Sequence, residues 1–387
     1  MAKHKDIVLV FLITFLYHTM NQMFVPTLPV YIAGLGGSEV VVGVIVGLLS
    51  LGAIAAKVFF GKMATRHSNL LVLRIGLVLA TAVLFLYQPF LGFGFLAAVR
   101  LLQSIGLAGF VAGGQGLLSD HSRGHNRGLF FGIFAAAIGL GMAVGPLLGS
   151  FLAENFSYSM LFGGATVIVG LAMVLSFVIG GKSGIHGPGM GRKYQPHPPW
   201  KNHNLLVLSG SMFLAASVMG ATSSMFALHA RAVGIDHPSL FFGLFALTYT
   251  LSGAVSGYLS DRFGRSTMII PGFCLLIIGL LSLTLLNGAV ILILAALLCG
   301  GGFGFVNTVL MAMVPEYSIN AIDASNDLAF FSNAFDLGIV LGSIGLSWLA
   351  IYSYGLFWLA VALANVLGLL LYLRHNPEKQ EKIKAQV

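Results

Sequence analysis

Ionisable side chains interrupt long apolar stretches of this 387-residue sequence, and their presence there requires a structural or functional explanation. His18, Lys57, Arg100 and Asp336 are the ones that matter here. A charged group at the centre of a lipid bilayer costs at least about 2.5 kcal/mol unless it is paired or hydrated. A carboxyl or an imidazole held there could take up and release a proton. An arginine keeps its charge, so it attracts an anionic group or tunes a titrating neighbour.

Polar residues follow one face of the first apolar stretch. His18, Asn21 and Gln22 recur at helical spacing, and Tyr17 borders them. Because histidine titrates near physiological pH, His18 is a candidate proton carrier. The alternative is a buried neutral imidazole whose hydrogen bonds are satisfied by a neighbouring side chain.

Asp336 is the other candidate proton carrier, and Asn333 lies one helical turn before it on the same face. Uncharged polar side chains in the second half could hydrogen-bond a solute. They are Thr222, Ser223, Ser224, Asn307 and Thr308. The 14 methionines and 30 phenylalanines could line an adaptable apolar cavity or pack between helices.

The composition excludes most classes of protein. Hydrophobic residues make up 57% of the chain and charged residues 8%, which excludes a water-soluble globule, a disordered chain and a nucleic-acid binder. Cys274 and Cys299 both lie in apolar stretches and predict no disulfide framework. The sequence has no HExxH or GxSxG motif, so we expect no enzyme, no metal site and no cofactor. An integral membrane protein remains.

Continuous apolar stretches of about 20 residues predict membrane-spanning helices. These stretches lack the alternation of barrel strands, and a helix satisfies its own backbone hydrogen bonds in lipid. The sequence therefore predicts an all-α integral membrane protein. Its twelve spans lie near residues 7–33, 38–60, 70–89, 92–118, 129–153, 158–180, 204–230, 239–259, 267–286, 289–313, 326–350 and 355–373.

The positions of the cations predict the orientation in the membrane. With a cytoplasmic amino terminus, the outer loops hold only Arg231. The inner ends hold Lys3, Lys5, Lys62, Arg66, Arg74, Arg123, Arg127, Lys182, Arg192, Lys193, Lys201, Arg262, Arg265, Arg374, Lys379, Lys382 and Lys384. Both termini are then cytoplasmic, and we expect a multi-pass protein of the inner, plasma membrane.

A stretch rich in Gly, Pro and basic residues lies at the midpoint of the chain. It predicts a cytoplasmic linker at 181–203 between an N-terminal six-helix bundle, 1–180, and a C-terminal six-helix bundle, 204–374, with a cytoplasmic tail at 375–387. Three histidines here could bind a metal, but their irregular spacing favours solvated side chains. They are His186, His197 and His203.

A short repeat relates the two halves. GKMATRHSN at 61–69 follows the second span, GYLSDRFGR at 257–265 follows the eighth, and both open with Gly and carry Arg at the sixth position. Asp261 could cap a helix start or pair with Arg262 or Arg265, forming a charge latch that breaks when the inner face opens. A solvated turn is the alternative, because surface ion pairs contribute only about 0–1 kcal/mol.

The second copy of this repeat resembles the inter-helix signature of the major facilitator superfamily. That signature is Gly, three residues, Asp, Arg, any residue, Gly, Arg, and this copy is complete. Its residues are Gly257, Asp261, Arg262, Gly264 and Arg265. The first copy keeps only Gly61 and Arg66 and departs at Thr65, Ser68 and Asn69. We therefore expect a weaker or differently built latch in the first half.

Two further stretches resemble the antiporter branch of that family. RLLQSIGLAG at 100–109 is similar to the fourth-helix motif, although Ser104 stands where Gly is usual. GMAVGPLLG at 141–149 is similar to the fifth-helix antiporter motif, and its matching residues are Gly141, Gly145, Pro146 and Gly149. Glycines four residues apart lie along one helix face and allow another backbone to approach closely. Pro146 should bend that helix.

The resemblance implies a fold of two pseudo-symmetric six-helix bundles that face each other across a central cavity. It implies that the first, fourth, seventh and tenth helices line this cavity, with Arg100 and Gln103 facing it. It also places the second and eleventh helices side by side, so Asp336 is either a proton carrier or a permanent partner of Lys57. Within the family, the sequence is most similar to bacterial drug/proton antiporter-type efflux permeases.

These features favour a secondary transporter that works by alternating access and exports a small molecule in exchange for protons. Proton-coupled uptake by symport uses the same fold and stays open. A channel is the other alternative, and an intramembrane enzyme is disfavoured because the sequence carries no catalytic motif. The expected partners are a small-molecule substrate, protons and membrane lipid, and we expect a monomer.

Overall fold

The computed structural model describes residues 2–121, 127–180, 197–319 and 323–377. Within these ranges, twelve helices are long and apolar enough to cross a membrane, which confirms the predicted all-α architecture. The helices of the first half are α1 Ala2–Gly34, α2 Glu39–Arg66, α3 Asn69–Leu84, α4 Phe93–His121, α5 Arg127–Asn155 and α6 Tyr158–Val178. A 3₁₀ turn, Phe85–Tyr87, extends α3.

The helices of the second half are α7 His203–Ala232, α8 Ser239–Phe263, α9 Arg265–Thr284, α10 Ala289–Glu316, α11 Asp323–Val340 and α12 Tyr354–Arg374. Two of them contain irregular turns. A π-helical turn, Thr222–Phe226, interrupts α7, and α11 runs on into a π-helical turn, Leu341–Gly345, and a 3₁₀ turn, Ser347–Ile351. A 3₁₀ turn at Pro199–Lys201 precedes α7.

Polar side chains cap several helices where the chain turns. Ser68, Ser157, Asn202 and Ser353 each accept a hydrogen bond from a backbone N–H in the first turn of α3, α6, α7 and α12. The first N–H groups of a helix have no partner within the helix, so these caps stabilise each helix start. Short turns with capped helix starts therefore join the long helices. This agrees with the sequence, which has few polar residues available to form loops.

The same helix pairs form in two compact units, one of residues 1–37 and 44–192, the other of residues 38–43 and 193–387. In the first unit, α1 packs on α5 and α6, and α3 packs on α4 and α6. In the second, α7 packs on α11 and α12, and α9 packs on α10 and α12. Each of these four pairings in the first unit recurs six helices later, so the two halves are structurally related, as the repeated motif predicts.

Large apolar side chains remain exposed on the outer faces of the helices. On α6, Val167, Leu171 and Val174 are each more than half exposed, and they lie about one helical turn apart. Exposed apolar stripes of this kind are unfavourable in water but favourable in contact with lipid. With the twelve spans, these faces indicate a multi-pass membrane protein.

The helices extend further than the apolar stretches predicted. The eighth span is predicted to end near residue 259, but α8 continues through Phe263, and only Gly264 separates it from α9. Gly264 has φ of +95°, which favours glycine. The expectation that Asp261 caps a helix start is therefore wrong, because Asp261 lies inside α8. Polar residues end the apolar stretch without ending the backbone hydrogen bonding, since a helix can project beyond hydrocarbon.

Most of the predicted linker, residues 181–196, lies outside the described residues, and so does the tail beyond residue 377. The predicted domain bounds stay a prediction. At the described end of the linker, the Asn202 side chain also donates to the Tyr317 carbonyl oxygen at 2.8 Å, so the chain entering α7 is tied to the end of α10.

Candidate functional site

A buried polar cluster forms in the first unit around Arg100 on α4. The Arg100 Nη1 donates to the Gln103 Oε1 at 2.8 Å, and the Tyr87 hydroxyl donates to the same oxygen at 2.6 Å. Arg100 is 4% exposed and Gln103 1%. The Arg100 Nε and the Gln103 Nε2 are buried and find no hydrogen-bond partner within the described ranges. The structure thus brings the two predicted residues together, and it adds Tyr87, which the sequence analysis missed.

The predicted stripe on α1 lies beside an aromatic residue of α4. Tyr17 is fully buried, and its ring stacks on Phe110 with centroids 3.7 Å apart and planes 9° apart. The His18 ring meets the edge of Phe110 at 5.8 Å. Asn21 and Gln22 are half-buried further along α1. Aromatic contacts therefore hold His18, the candidate proton carrier, in a fixed orientation.

The glycines of the antiporter-like motif on α5 contact this same stretch of α1. A Cβ added at Gly141 would lie 2.7 Å from the His18 Cβ, and one at Gly145 would lie 2.6 Å from the Gln22 Cβ. One at Gly149 would collide with the Met23 backbone. Only glycine allows this approach, so the motif sets the distance between α5 and the polar stripe.

Pro146 lies within the continuous helix α5, so it does not end that helix, and the bend that we expect there stays a prediction. Three further candidate residues of the first half, Lys57, Gly61 and Arg66, lie on α2. Lys57 is half-buried, and Gly61 and Arg66 are exposed in the last turns of the helix. A Cβ at Gly61 would meet nothing within 4 Å, so this glycine is not required by close packing.

The complete copy of the motif forms an ion-pair network at the junction of α8 and α9. The Arg265 Nη1 lies 2.6 Å from an Asp261 carboxylate oxygen and also donates to the Ser260 hydroxyl at 2.7 Å. The other side of the guanidinium donates to the Glu316 Oε1 on α10, from Nε at 3.2 Å and from Nη2 at 2.8 Å. Arg265, rather than Arg262, is therefore the partner of Asp261. The network joins three helices of one unit.

The remaining motif residues have smaller roles in this network. The Arg262 guanidinium lies over its neighbour Phe263, 5.5 Å from the ring centroid. A Cβ at Gly257 would make only an ordinary contact, 3.8 Å from Thr308. The sequence analysis did not identify Glu316. Glu316 lies just beyond the tenth predicted span and Arg265 just before the ninth, so the predicted topology places both at the cytoplasmic side of the membrane, which could have suggested their contact.

The polar residues predicted on α10 face α8. The Asn307 Nδ2 donates to the Tyr249 hydroxyl at 3.0 Å, and Thr308 packs where Gly253 leaves room. The Tyr249 ring continues a row of aromatic side chains through Phe303, with centroids 5.7 Å apart. The Asn307 amide is therefore hydrogen-bonded to the Tyr249 hydroxyl. Tyr249 is an additional site candidate, which the sequence analysis did not identify.

The predicted polar residues of α7 lie on its π-helical turn. The Thr222 hydroxyl is buried and donates to the Val218 carbonyl oxygen at 2.8 Å, and the Ser224 hydroxyl donates to the Gly220 carbonyl oxygen at 2.9 Å. Ser223 is half-buried between them. Because Thr222 and Ser224 are satisfied by their own helix, Ser223 is the better donor for a solute.

Asn333 and Asp336 lie on α11, where Asn333 is half-buried and Asp336 is 7% exposed. Phe335 between them extends the aromatic row, with its ring centroid 6.2 Å from that of Phe303. Lys57 belongs to the first unit and Asp336 to the second. Their pairing therefore stays a prediction.

The second unit also contains a buried aromatic cluster that the sequence analysis missed. The Trp358 Nε1 donates to the His229 Nδ1 at 2.9 Å, and the Tyr354 ring stacks on His229 at 4.9 Å. The Tyr354 hydroxyl hydrogen-bonds the Glu39 carboxylate. These residues lie at helix ends far apart in the sequence, so no local spacing connects them.

No group of three or more His, Cys, Asp or Glu side chains in the described ranges could hold a metal ion. Of the linker histidines, His186 lies outside those ranges. His197 has its Nδ1 3.7 Å from a carboxylate oxygen of Asp323, and the His203 ring lies 5.1 Å from that of His375.

Curated proteins similar to this chain include two that are named for drug resistance or efflux. Over 185 residues it is 29% identical to the quinolone resistance protein NorA of Staphylococcus aureus, and this match covers 48% of the chain but only about half of that relative, 46%. Over 344 residues it is 24% identical to the multi-drug resistance efflux pump PmrA homolog of Lactococcus lactis, covering 84% of the chain and 82% of that protein.

Solved structures share the fold at low sequence identity. The crystal structure of the nucleoside transporter NupG superposes with a TM-score of 0.79 at 16% identity, over 95% of this chain and 98% of that one. The sequence model described as Major Facilitator Superfamily matches residues 10–321 and 205–387. Because this family match extends over nearly the whole chain, the protein belongs to the Major Facilitator Superfamily.

Proposed function

We propose that this chain is a secondary transporter of the plasma membrane that exports a small amphiphilic molecule in exchange for protons. Two curated relatives are named for quinolone resistance and for multi-drug efflux, which supports export of drug-like compounds. The glycine motif on α5 supports the antiport direction through its resemblance to the antiporter branch. Alternating access is the mechanism that the fold supports.

The observation that carries the proposal is the burial of ionisable side chains within membrane spans. Asp336 is 7% exposed on α11 and Arg100 4% exposed on α4. Arginine does not lose its proton in proteins, so Arg100 supplies a fixed positive charge. A carboxyl can exist in either form, so Asp336 is the group that takes up and releases a proton in each cycle, with His18 as the second candidate.

Asp336 is well placed to couple its charge state to helix position. Two residues further along α11, a Cβ at Gly338 would collide with the Phe213 carbonyl oxygen of α7. A change of charge at Asp336 therefore acts on a helix in direct backbone contact with α7, which presents Ser223. We propose that proton binding and solute binding are coupled along this α7–α11 contact.

The test is transport in proteoliposomes under an imposed pH gradient. Asp336→Asn should lose pH-driven transport and keep substrate exchange at equal pH, because the amide preserves the shape of the side chain but cannot carry a proton. Asp327→Asn is the matched control, since Asp327 is a buried acid on the same helix, nine residues earlier. Unchanged pH-driven transport in Asp336→Asn would move the role to His18.

The same preparation tests the direction of transport. Protons move toward the alkaline compartment, so an antiporter accumulates its substrate in the acidic compartment. Accumulation in the alkaline compartment would show symport, and flux that never saturates with substrate concentration would show a channel.

The bias of cations toward one set of loops supports the proposed topology, with both termini in the cytoplasm. Single cysteines at Asp236 and at Arg66, in a background without Cys274 and Cys299, would test it. A membrane-impermeant maleimide added to intact cells should label the cysteine at position 236 but not that at 66. The reverse pattern would overturn the topology.

A further inference from the structure

The buried cluster around Arg100 contains more hydrogen-bond donors than acceptors. Gln103 Oε1 already accepts two hydrogen bonds, from the Arg100 Nη1 at 2.8 Å and from the Tyr87 hydroxyl at 2.6 Å. A carbonyl oxygen has two lone pairs, so it has no capacity left. The Arg100 Nε and the Gln103 Nε2 are both buried, and neither has a hydrogen-bond partner among the residues that the structure describes.

The charge in this cluster is also unmatched. The hydrogen-bond partners of Arg100, the Gln103 amide and the Tyr87 hydroxyl, are both neutral, and within the described residues Arg100 forms no ion pair. The acids of the first unit, Asp6, Asp120 and Glu154, all lie near helix ends in the sequence. A buried cation that lacks both a counter-ion and a full set of acceptors is costly, so its retention needs a function.

We infer that the missing acceptor is a carboxylate of the transported molecule, and that the substrates include organic monocarboxylates. This rests on the proposed transport function. A guanidinium offers parallel N–H groups that match the two oxygens of a carboxylate, and the Gln103 Nε2 adds a further donor. One cation matches one negative charge, so a dicarboxylate or a phosphate would bring charge that the cluster does not balance.

The surroundings of the cluster define the rest of the ligand. The Tyr87 ring lies 5.1 Å from that of Phe24 and 5.3 Å from that of Phe162, so aromatic side chains border the donors. A ligand with an apolar, preferably aromatic body would fit beside them. Since Arg100 is 4% exposed, the carboxylate reaches it when the helices separate during the transport cycle.

The experiment compares matched acids and esters on purified full-length protein in detergent. The probes are benzoate, naphthoate and anthracenecarboxylate, each with its methyl ester, and dissociation constants come from thermal stabilisation. We expect at least one acid to bind about tenfold or more tightly than its ester, as expected for hydrogen bonds to a charged group. Sodium chloride and sodium formate at equal ionic strength report binding of small anions alone.

Two variants test the assignment to the cluster. Arg100→Gln should bring the acid-to-ester ratio to about one. Gln103→Glu should do the same while keeping the fold stable, because it supplies Arg100 with an internal carboxylate that competes with the ligand. Arg74→Gln is the matched control in the same unit. Arg74 donates to the Ser176 and Ile179 carbonyl oxygens, so its loss should lower stability but leave the ratio unchanged.

The inference is overturned if no acid binds more tightly than its ester, if the preference survives in both cluster variants, or if formate or chloride stabilises the protein as well as the acids do. This readout needs no pH gradient. A protein that transports a neutral or cationic dye but shows no acid preference would therefore disprove the carboxylate site alone. Acid preference without any transport would disprove the proposed function alone.

Discussion

Replacing Gly145 by alanine tests whether close contact between α5 and α1 holds the polar stripe of α1 in place. The added Cβ would lie 2.6 Å from both the Gln22 Cβ and the Thr19 carbonyl oxygen. Non-bonded carbon atoms prefer a separation of about 3.5–4.0 Å, so the two helices would have to separate by roughly 1 Å. Because the Thr19 oxygen belongs to the backbone, no side-chain rotation relieves the overlap. Overpacking of this size costs about 1–3 kcal/mol.

Gly132 provides the matched control on the same helix, because a Cβ there meets nothing within 4 Å. Alanine is favoured over glycine in a helix by about 0.8–1.0 kcal/mol, so Gly132→Ala should be at least as stable as the parent. Both variants gain this helix propensity, so it cancels, and their free energies of unfolding should differ by about 1–3 kcal/mol, the cost of overpacking alone. Thermal unfolding in one detergent, followed by tryptophan fluorescence, measures the difference. Equal stability of Gly145→Ala and Gly132→Ala would refute the close contact.

Two further changes test ion-pair and hydrogen-bond contacts in the second unit. Arg265→Gln should lower the free energy of unfolding by only about 1 kcal/mol, because its carboxylate partners are largely solvated, and the loss should shrink at high salt. Arg262→Gln is its control and should have no effect; equal losses in both variants at every salt concentration would contradict the network. Trp358→Phe leaves the buried His229 Nδ1 without a donor and should cost about 1–3 kcal/mol. The same change in a His229→Phe background should cost less, and an undiminished cost there would show that packing, not the hydrogen bond, is responsible.

The sequence predicts the fold well because lipid leaves few alternatives. A backbone in hydrocarbon must satisfy its own hydrogen bonds, so apolar length alone identifies the twelve spans. The helix ends are predicted less well. The apolar stretches end just before Lys62 and Asp261, whereas the helices continue to Arg66 and Phe263. Polar side chains do not interrupt backbone hydrogen bonding outside the membrane core.

Site residues could be predicted where local spacing determines the contact. Gly141, Gly145 and Gly149 share a face by helical periodicity, and the structure places all three against α1. Tyr87 and Glu316 could not be found in this way. Tyr87 contacts Gln103, and Glu316 contacts Arg265, on a different helix in each case. These contacts depend on which helices pack side by side, and residue spacing along a single helix does not predict that.

The two units build equivalent helix contacts in different ways, and the difference bears on where motion occurs. In the first unit, the α5 glycines meet α1, which contains Pro26 and Pro29. In the second, Gly342 lies within the π-helical turn Leu341–Gly345 and would collide, if given a Cβ, with the Ser217 carbonyl oxygen of α7. The π-helical turn Thr222–Phe226 lies just beyond on α7.

Single π-helical turns inside α-helices are frequent at functional sites, and their wider backbone leaves the regular hydrogen-bond ladder locally disrupted. The α7–α11 contact therefore combines tight backbone packing with a π-helical turn in each helix, whereas the helices of the α1–α5 contact contain prolines, Pro26 and Pro29 in α1 and Pro146 in α5. Asp336 lies five residues before the turn on α11. A change of its charge state acts next to the less regular part of that helix. We therefore expect α7 and α11 to bend at these two turns and α5 to bend at Pro146.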